Sequence, residues 1–371
     1  MANRIIYQSE ALYVGPNTGT ATSDHFSLGN SGTNYVDQLQ RIQTANYSFT
    51  VDRTDVNQFG QLAAIDRVIL TSPTVALDFS YILANLANEH RLGFYVQTGS
   101  LAAGSAISGI LNKTSDEKNY FIKTVAEGSD AVGDVTTGDS IGVIGIGNGF
   151  LTSYSTEASV GNFPTTTINV EGLNMVFQKG TTGNYIPAVT PTNGQAITSK
   201  LYALPVAAAS NSVTSSVTGI SALRPGDITL TLPDTLGADT TTFNVQSYTL
   251  SFDLARTPLE KLGSKFAFAR EVDFPVTVNL SVDAQVTDLT TGTLANLVCN
   301  DESYNPVITL GKPECGASTT TVARFELKGA KLDSQEFSSD IGANKSVTLN
   351  FSAQIGGPQD TSNGLFISGI R

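Results

Sequence analysis

The stretch Ile42-Gln43-Thr44-Ala45-Asn46-Tyr47-Ser48-Phe49-Thr50-Val51-Asp52-Arg53-Thr54 decides the fold once it is set beside Val245-Gln246-Ser247-Tyr248-Thr249-Leu250-Ser251-Phe252-Asp253-Leu254-Ala255-Arg256-Thr257. In both, apolar and polar side chains alternate with the period of a half-buried strand. Tyr47, Phe49 and Val51 share one face, as do Tyr248, Leu250, Phe252 and Leu254. Their neighbours Asn46, Ser48 and Thr50, and Thr249, Ser251 and Asp253, point the other way and must meet water or a polar surface. The segments align without a gap at an offset of about 203 residues, and the match continues to Ala84 and Thr287. Identical pairs include Gln43/Gln246, Ser48/Ser251, Phe49/Phe252, Arg53/Arg256, Thr54/Thr257, Gly60/Gly263, Arg67/Arg270 and Leu77/Leu280. A repeat of this length marks a duplicated structural unit.

Working outward, each copy reads as strand, hairpin, strand, turn, strand. The hairpin glycines Gly60 and Gly263 occupy the same place, where a tight turn favours a residue that tolerates positive φ. The strands after Pro73 and Pro275 carry Val75, Leu77 and Phe79 against Val278, Leu280 and Val282, with Asp78 and Ser80, and Asn279, Ser281 and Asp283, facing away. The last strands correspond at an offset near 181, Ile168 and Val170 against Leu349 and Phe351, with Asn169, Glu171 and Asn350 on the polar side. Short helices are expected at Leu101 to Asn112 and Leu294 to Asn300, each followed by an acidic pair, Asp116-Glu117 or Asp301-Glu302. Each copy is thus expected to be a sheet with one helix over its apolar face and the other face wet. The domains are read as an N-terminal arm at 1–40, a first copy at 41–179, a linker or extended arm rich in Pro, Ser, Thr and Gly at 180–221, and a second copy at 222–371.

Composition agrees with a mainly β chain. Of 371 residues, 15% are charged, against about 25% in an average soluble protein, and 21 Lys+Arg face 33 Asp+Glu for a net charge of −12. That balance disfavours affinity for DNA, which needs clustered cations to displace counterions. Cys299, Cys315, His25 and His90 supply neither a disulfide framework nor a structural zinc site. The start lacks an apolar h-region and no run is long enough to span a bilayer as a helix, so a soluble protein without an export signal or membrane anchor is expected.

Candidate chemistry is sparse. In Gly142-Val143-Ile144-Gly145-Ile146-Gly147-Asn148-Gly149-Phe150, Phe150 stands where a dinucleotide-binding loop needs its last glycine, and no helix follows. Ser115-Asp116-Glu117-Lys118 fits SxxK only formally. The acidic pairs recur at matching places in both copies, which fits solvated loop charges better than a catalytic pair. No catalytic residue, cofactor or metal is assigned, and an enzyme is not expected. The repeated Arg53, Arg67, Arg256 and Arg270 lie near carboxylates and suit fork-like pairing, within a protomer or across a subunit interface.

This order of elements, from Arg41-Ile42-Gln43 to Phe49, from Arg53 through the Gly60 hairpin to Arg67, from Pro73 to Tyr81, and again from Val245 to Ala284, resembles the major tail tube protein of bacteriophages in its internally duplicated form. The resemblance implies tandem β-sandwich or small-barrel domains with a flanking helix. It further implies a homotrimeric, pseudo-hexameric ring whose inner sheets join into one β-barrel, stacked helically into a hollow tube that delivers the genome. Asn46, Ser48, Thr50, Asp78, Ser80, Asn169, Glu171, Thr249, Ser251, Asp253, Asn279, Ser281, Asp283 and Asn350 are then candidates for the lumen, where an acidic or neutral wall keeps DNA from sticking. Arg53, Arg67, Arg256 and Arg270, with the hairpin residues Phe59, Gly60, Leu262 and Gly263, are candidates for subunit and ring-to-ring contacts. Implied partners are further copies of the chain, tail-tip or baseplate and terminator proteins, and, in the lumen, a tape measure protein and DNA bound without sequence preference. Synthesis in the host cytoplasm and a place in the virion follow. The alternative is another tandem-domain virion β-protein, such as a tail fibre, baseplate or capsid decoration protein.

Overall fold

A computed structural model describes residues 10–16, 37–98, 104–111, 116–125, 127, 131, 142–179, 189, 222–232, 243–286, 303–312, 321–338, 344–357 and 360–370. In the first copy the strands are β1 (Glu10–Pro16), β2 (Asp37–Gln38), β3 (Ile42–Thr50), β4 (Arg53–Val56), β5 (Asp66–Ile69), β6 (Thr74–Ile82), β7 (Val96–Gln97), β8 (Lys118–Thr124), β9 (Gly142–Ser159), β10 (Thr165–Gly172) and β11 (Asn174–Lys179), with helix α1 (Ala87–Leu92) between β6 and β7. The second copy contributes β12 (Ile228–Thr231), β13 (Phe243–Asp253), β14 (Arg256–Leu259), β15 (Ala269–Val272), β16 (Val276–Val286), β17 (Val307–Gly311), β18 (Thr321–Lys328), β19 (Lys331–Ser338), β20 (Ser346–Ile355) and β21 (Gly364–Gly369).

The alternating stretches quoted above become β3 and β13, and the duplication holds in register. Tyr47 lies opposite Leu77 in β6, and Leu250 opposite Leu280 in β16. Both pairs of strands carry a bulge at the same place, between Ile42 and Thr44 and between Val245 and Ser247. A second matched bulge interrupts β9–β10 beside Asn169 and β19–β20 beside Asn350. A bulge bends its strand and raises the local twist, so both copies curve alike. The inner strands form one antiparallel path in the order β19-β20-β16-β13-β9-β10-β6-β3. Its centre is the pairing of β9 with β13, which welds the first copy to the second. The path is not closed into a barrel.

One face of this sheet holds the core. Val75, Leu77, Phe79 and Tyr81 of β6, and Val278, Leu280 and Val282 of β16, are buried at alternate positions. Each such side chain contributes about 1.5–3 kcal/mol by leaving water. The core is closed by further sheets, which departs from the expected single covering helix. In the first copy β2, β1, β8, the first half of β9, and β11 form that layer; in the second, β12, β17, β18 and β21 do so. The N-terminal β1 puts Leu12 and Val14 into the first-copy core, while Tyr13 is buried on the opposite face of the strand.

The 18-residue β9 serves both layers, pairing with β8 and β11 through its first half and with β10 and β13 through its second. The change of layer falls at Asn148, whose φ is 55°. In the second copy the same passage from β18 to β19 falls at Gly329, with φ 66°. Asn and Gly are the residues that enter the left-handed region at least cost, so the two copies solve one bend with two permitted residues. The glycine-rich run at 142–149 is therefore strand, not a ligand loop.

The helix of the first copy lies earlier than expected. α1 ends at Gly93, whose φ of 102° stops it, while Ala106–Ser108 makes a single 3₁₀ turn inside the stretch read as helical. The second expected helix, at 294–300, falls outside the described residues, as do His25, Cys299, Cys315, the Asp301-Glu302 pair, and all of the 180–221 linker except Val189. α1 carries Glu89 into the core, where the Tyr81 hydroxyl donates to its Oε1 at 2.7 Å and the Tyr154 hydroxyl at 3.4 Å. Its Oε2 has no partner among the described residues. Burial pushes this carboxyl up to about 7, while the hydrogen bonds and the nearby Arg41 pull it down.

A carboxyl raised in the folded state favours the protein when protonated, so its contribution declines as pH rises from the ordinary carboxylate range through about 7. Lys118, lowered to about 7 by burial, acts in the opposite sense above that pH, so the variant-minus-parent difference isolates Glu89. Glu89→Gln is expected to be about 2–3 kcal/mol more stable than the parent at pH 8 and to lose that advantage at pH 5. Urea denaturation at the two pH values checks it, and equal differences at both would mean that Glu89 does not titrate in this window.

Candidate assembly surfaces

The second face of the inner sheet is polar from edge to edge, because each strand presents its alternate residues there. One row runs through Asn46, Asp78, Asn169, Ser153 and Asp253; another passes through Thr44, Ser80, Thr167, Ser155, Ser251 and Asn279; a third joins Thr249, Ser281, Asn350 and Ser334. All fourteen lumen candidates lie on this face, none of them buried, so one continuous surface gathers residues drawn from both copies. Side chains bond along the rows: Thr44 and Ser80 hydroxyls lie 2.6 Å apart, Asn169 donates to Ser153 at 2.7 Å, and Asn350 donates to Ser334 at 2.8 Å. Asp283 accepts from Ser247 at 2.9 Å and from Thr348 at 2.6 Å. These bonds hold the polar groups against the sheet, whose face carries the carboxylates of Asp78, Asp253 and Asp283 and, on the β19 edge opposite Ser352, the ammonium of Lys331.

The four arginines separate into two kinds. The Arg256 side chain is 2% exposed and makes a bidentate pair with Asp116 of the first copy, at 2.6 and 2.8 Å. Its guanidinium also donates to the carbonyls of Leu151 and Arg270, and sits 4.9 Å from the Phe150 ring centroid. Arg270, equally buried, pairs with Glu171 of the first copy. Both therefore fasten the joint between copies. Arg67 instead bridges Asp55 across the β4–β5 ladder at 2.6 Å with both side chains exposed, and Arg53 has no carboxylate partner among the described residues. The expectation that the acidic pairs are solvated loop charges is corrected for Asp116, which lies against Arg256, and for Glu117, which accepts from Asn148. The usable signal was the recurrence of Arg and acidic pair together in both copies. Sequence distance concealed it, since 140 residues separate Arg256 from Asp116.

Two hairpins, β4–β5 and β14–β15, stand apart from the sandwich as separate two-stranded sheets. Their tips repeat bond for bond: Ile65 N–H donates to the Val56 carbonyl and Phe268 N–H to that of Leu259, at 2.8 and 2.9 Å. Gly60 and Gly263 turn with φ of 87° and 85°. Phe59, Leu62 and Leu262 are fully exposed beside them, an apolar cost that a free surface does not explain. Among the described residues, no group of three or more His, Cys, Asp or Glu side chains is arranged to hold a metal ion.

By its fold the chain is a tandem all-β protein with few helices, built from two copies of one sandwich. No family model and no curated protein sequence matches it. Among solved structures it is similar to a chain of the anti-feeding prophage (AFP) baseplate, at 16% identity and a TM-score of 0.26, covering 39% of this chain and 92% of that one. It is also similar to a chain of the virion of a native gene transfer agent (GTA) particle, at 11% identity and a TM-score of 0.23, covering 39% of this chain and 97% of that one.

Proposed function

We propose that this chain is a non-enzymatic structural subunit of a phage tail tube, three copies of which form a pseudo-hexameric ring that stacks into a conduit for the genome. One observation carries this reading. The inner sheet runs unbroken through both copies with one polar face, and ends in two edges, β3 and β19, whose counterparts β13 and β9 are already joined at its centre. An edge strand is a row of unpaired backbone groups that invites pairing with another chain. A joint between two different edges, repeated by successive chains, makes a ring where the rotation closes. Closure places the polar face on the inside, and its carboxylates Asp78, Asp253 and Asp283 repel DNA phosphates weakly enough to permit passage without adhesion. The exposed hairpin tips then meet the neighbouring ring, and tail-tip, terminator and tape measure proteins are the remaining partners.

Light scattering on the purified chain, with negative-stain imaging of the same sample after concentration, tests the reading. The expected result is a particle of three chains, or hollow tubes with a regular axial repeat. A monodisperse monomer that also fails to polymerise on tail-tip seeds overturns it in favour of a fibre or decoration protein.

A further inference from the structure

The joint inside the chain specifies the joint between chains. Phe252 of β13 is 2% exposed, stacked on Tyr154 of β9 at 5.4 Å, whereas its counterpart Phe49 of β3 is 62% exposed. Phe337 of β19, counterpart of the buried Thr156 in β9, is 49% exposed. Both aromatic rings belong to the core-facing side of the sheet and stay exposed because, among the described residues, no strand pairs with the outer side of β3 or β19; only the Lys345 ammonium, 5.1 Å from the Phe337 ring centroid, lies over one of them. A third residue follows the same rule: Phe177 on the outer strand β11 is 64% exposed, while Ile367, at the matching place in β21, is buried next to β7. Each exposed ring thus lies on an edge whose twin is covered at the internal joint.

We infer that β3 of one chain adds to β19 of a second copy of the same chain, antiparallel and in the register of β13 on β9. Assembly itself rests on the ring proposed above; the partner edge and the register come from the internal joint. There Phe252 faces Tyr154, Ser251 faces Ser155 and Leu250 faces Thr156. Transposed through the matched registers within each copy, Phe49 lies opposite Gln335, Ser48 opposite Glu336, and Tyr47 opposite Phe337. Arg53, counterpart of Arg256, then reaches the carbonyl of Leu332 as Arg256 reaches that of Leu151. The contact is head-to-tail, so each chain offers one edge of each kind. It removes two unpaired strand edges and covers Phe49 and Phe337 together.

Cysteine pairing in the full chain, with Cys299→Ser and Cys315→Ser as background, tests the register. Ser48→Cys combined with Glu336→Cys is expected to give interchain disulfide-linked oligomers under mild oxidation. Ser48→Cys with Ser338→Cys, two residues out of register on the same face, is expected to give at least about tenfold less. Ser155→Cys with Ser251→Cys, across the internal joint, supplies the intrachain standard. In parallel, Phe49→Asp is expected to leave the urea midpoint of the isolated chain unchanged and to weaken self-association by about tenfold or more. Equal cross-linking of the two interchain pairs, or association unaffected by Phe49→Asp, overturns the inference, as does a chain that stays monomeric both at the highest soluble concentration and on tail-tip seeds. Tubes that form without the Ser48–Glu336 cross-link discard this register but keep the tube reading. Cross-linked rings that never stack do the reverse.

Discussion

Arg256→Ala is expected to lower the unfolding free energy by about 3–5 kcal/mol, the usual cost of removing one partner from a buried ion pair. The loss is large because the guanidinium satisfies Asp116, two backbone carbonyls and an aromatic face at once, and its removal leaves a carboxylate, 17% exposed, without its counter-charge. Arg256→Lys restores the charge but not the fork, so it is expected to recover only part of the loss. Arg53→Ala, at the matching position of the first copy, is expected to change the stability of the isolated chain by less than about 0.5 kcal/mol, as exposed sites do. Urea denaturation of the three variants under conditions that keep the chain dissociated decides the matter. Similar losses for Arg256→Ala and Arg53→Ala would mean that the joint between copies does not depend on this pair.

Phe252→Ala is expected to cost about 3–5 kcal/mol, from lost transfer energy and the cavity left behind. The ring is sandwiched in an aromatic cluster, stacked on Tyr154 and edge-on to Phe94 at 6.1 Å. Since Tyr154 and Phe94 belong to the first copy, the cavity opens at the seam, and the two copies are expected to lose cooperativity as well as stability. The signature is a broadened or two-step unfolding curve, read by calorimetry. A sharp single transition with the parental midpoint would show that the seam tolerates the cavity and that the aromatic cluster contributes little.

The strands of the inner sheet were legible because their information is local. Period-two alternation in β3, β6, β13, β16 and β20 reports which side chains face the core without reference to the partner strand, and the duplication then fixed the equivalence of the copies. The polar face was legible for the same reason. α1 was not, since six residues are less than two turns and give no helical periodicity; only Gly93 marked its end. A strand led by Tyr120 was legible and is β8, but its place in a covering sheet was not, because with every residue buried it shows no alternation to tell which layer it joins. The pairs at the joint escaped because local carboxylates such as Glu271, next to Arg270 in sequence, are nearer in the chain but not in space, where Glu171 takes the arginine.

The covalent tie between the copies alters the kinetics of building a ring from them. A second binding event between linked modules proceeds at the effective concentration set by the link, far above that of free chains in solution. Half the seams of the proposed ring are therefore made during folding, independent of how dilute the protein is, and each newly folded molecule arrives already curved by its matched bulges. The seams left to form are chemically different, with Gln335 and Phe337 where the internal seam has Tyr154 and Thr156. Duplication has in this way separated two tasks that identical copies must share: one seam is free to be permanent, and the other is free to be weak enough that assembly waits for the right place to begin.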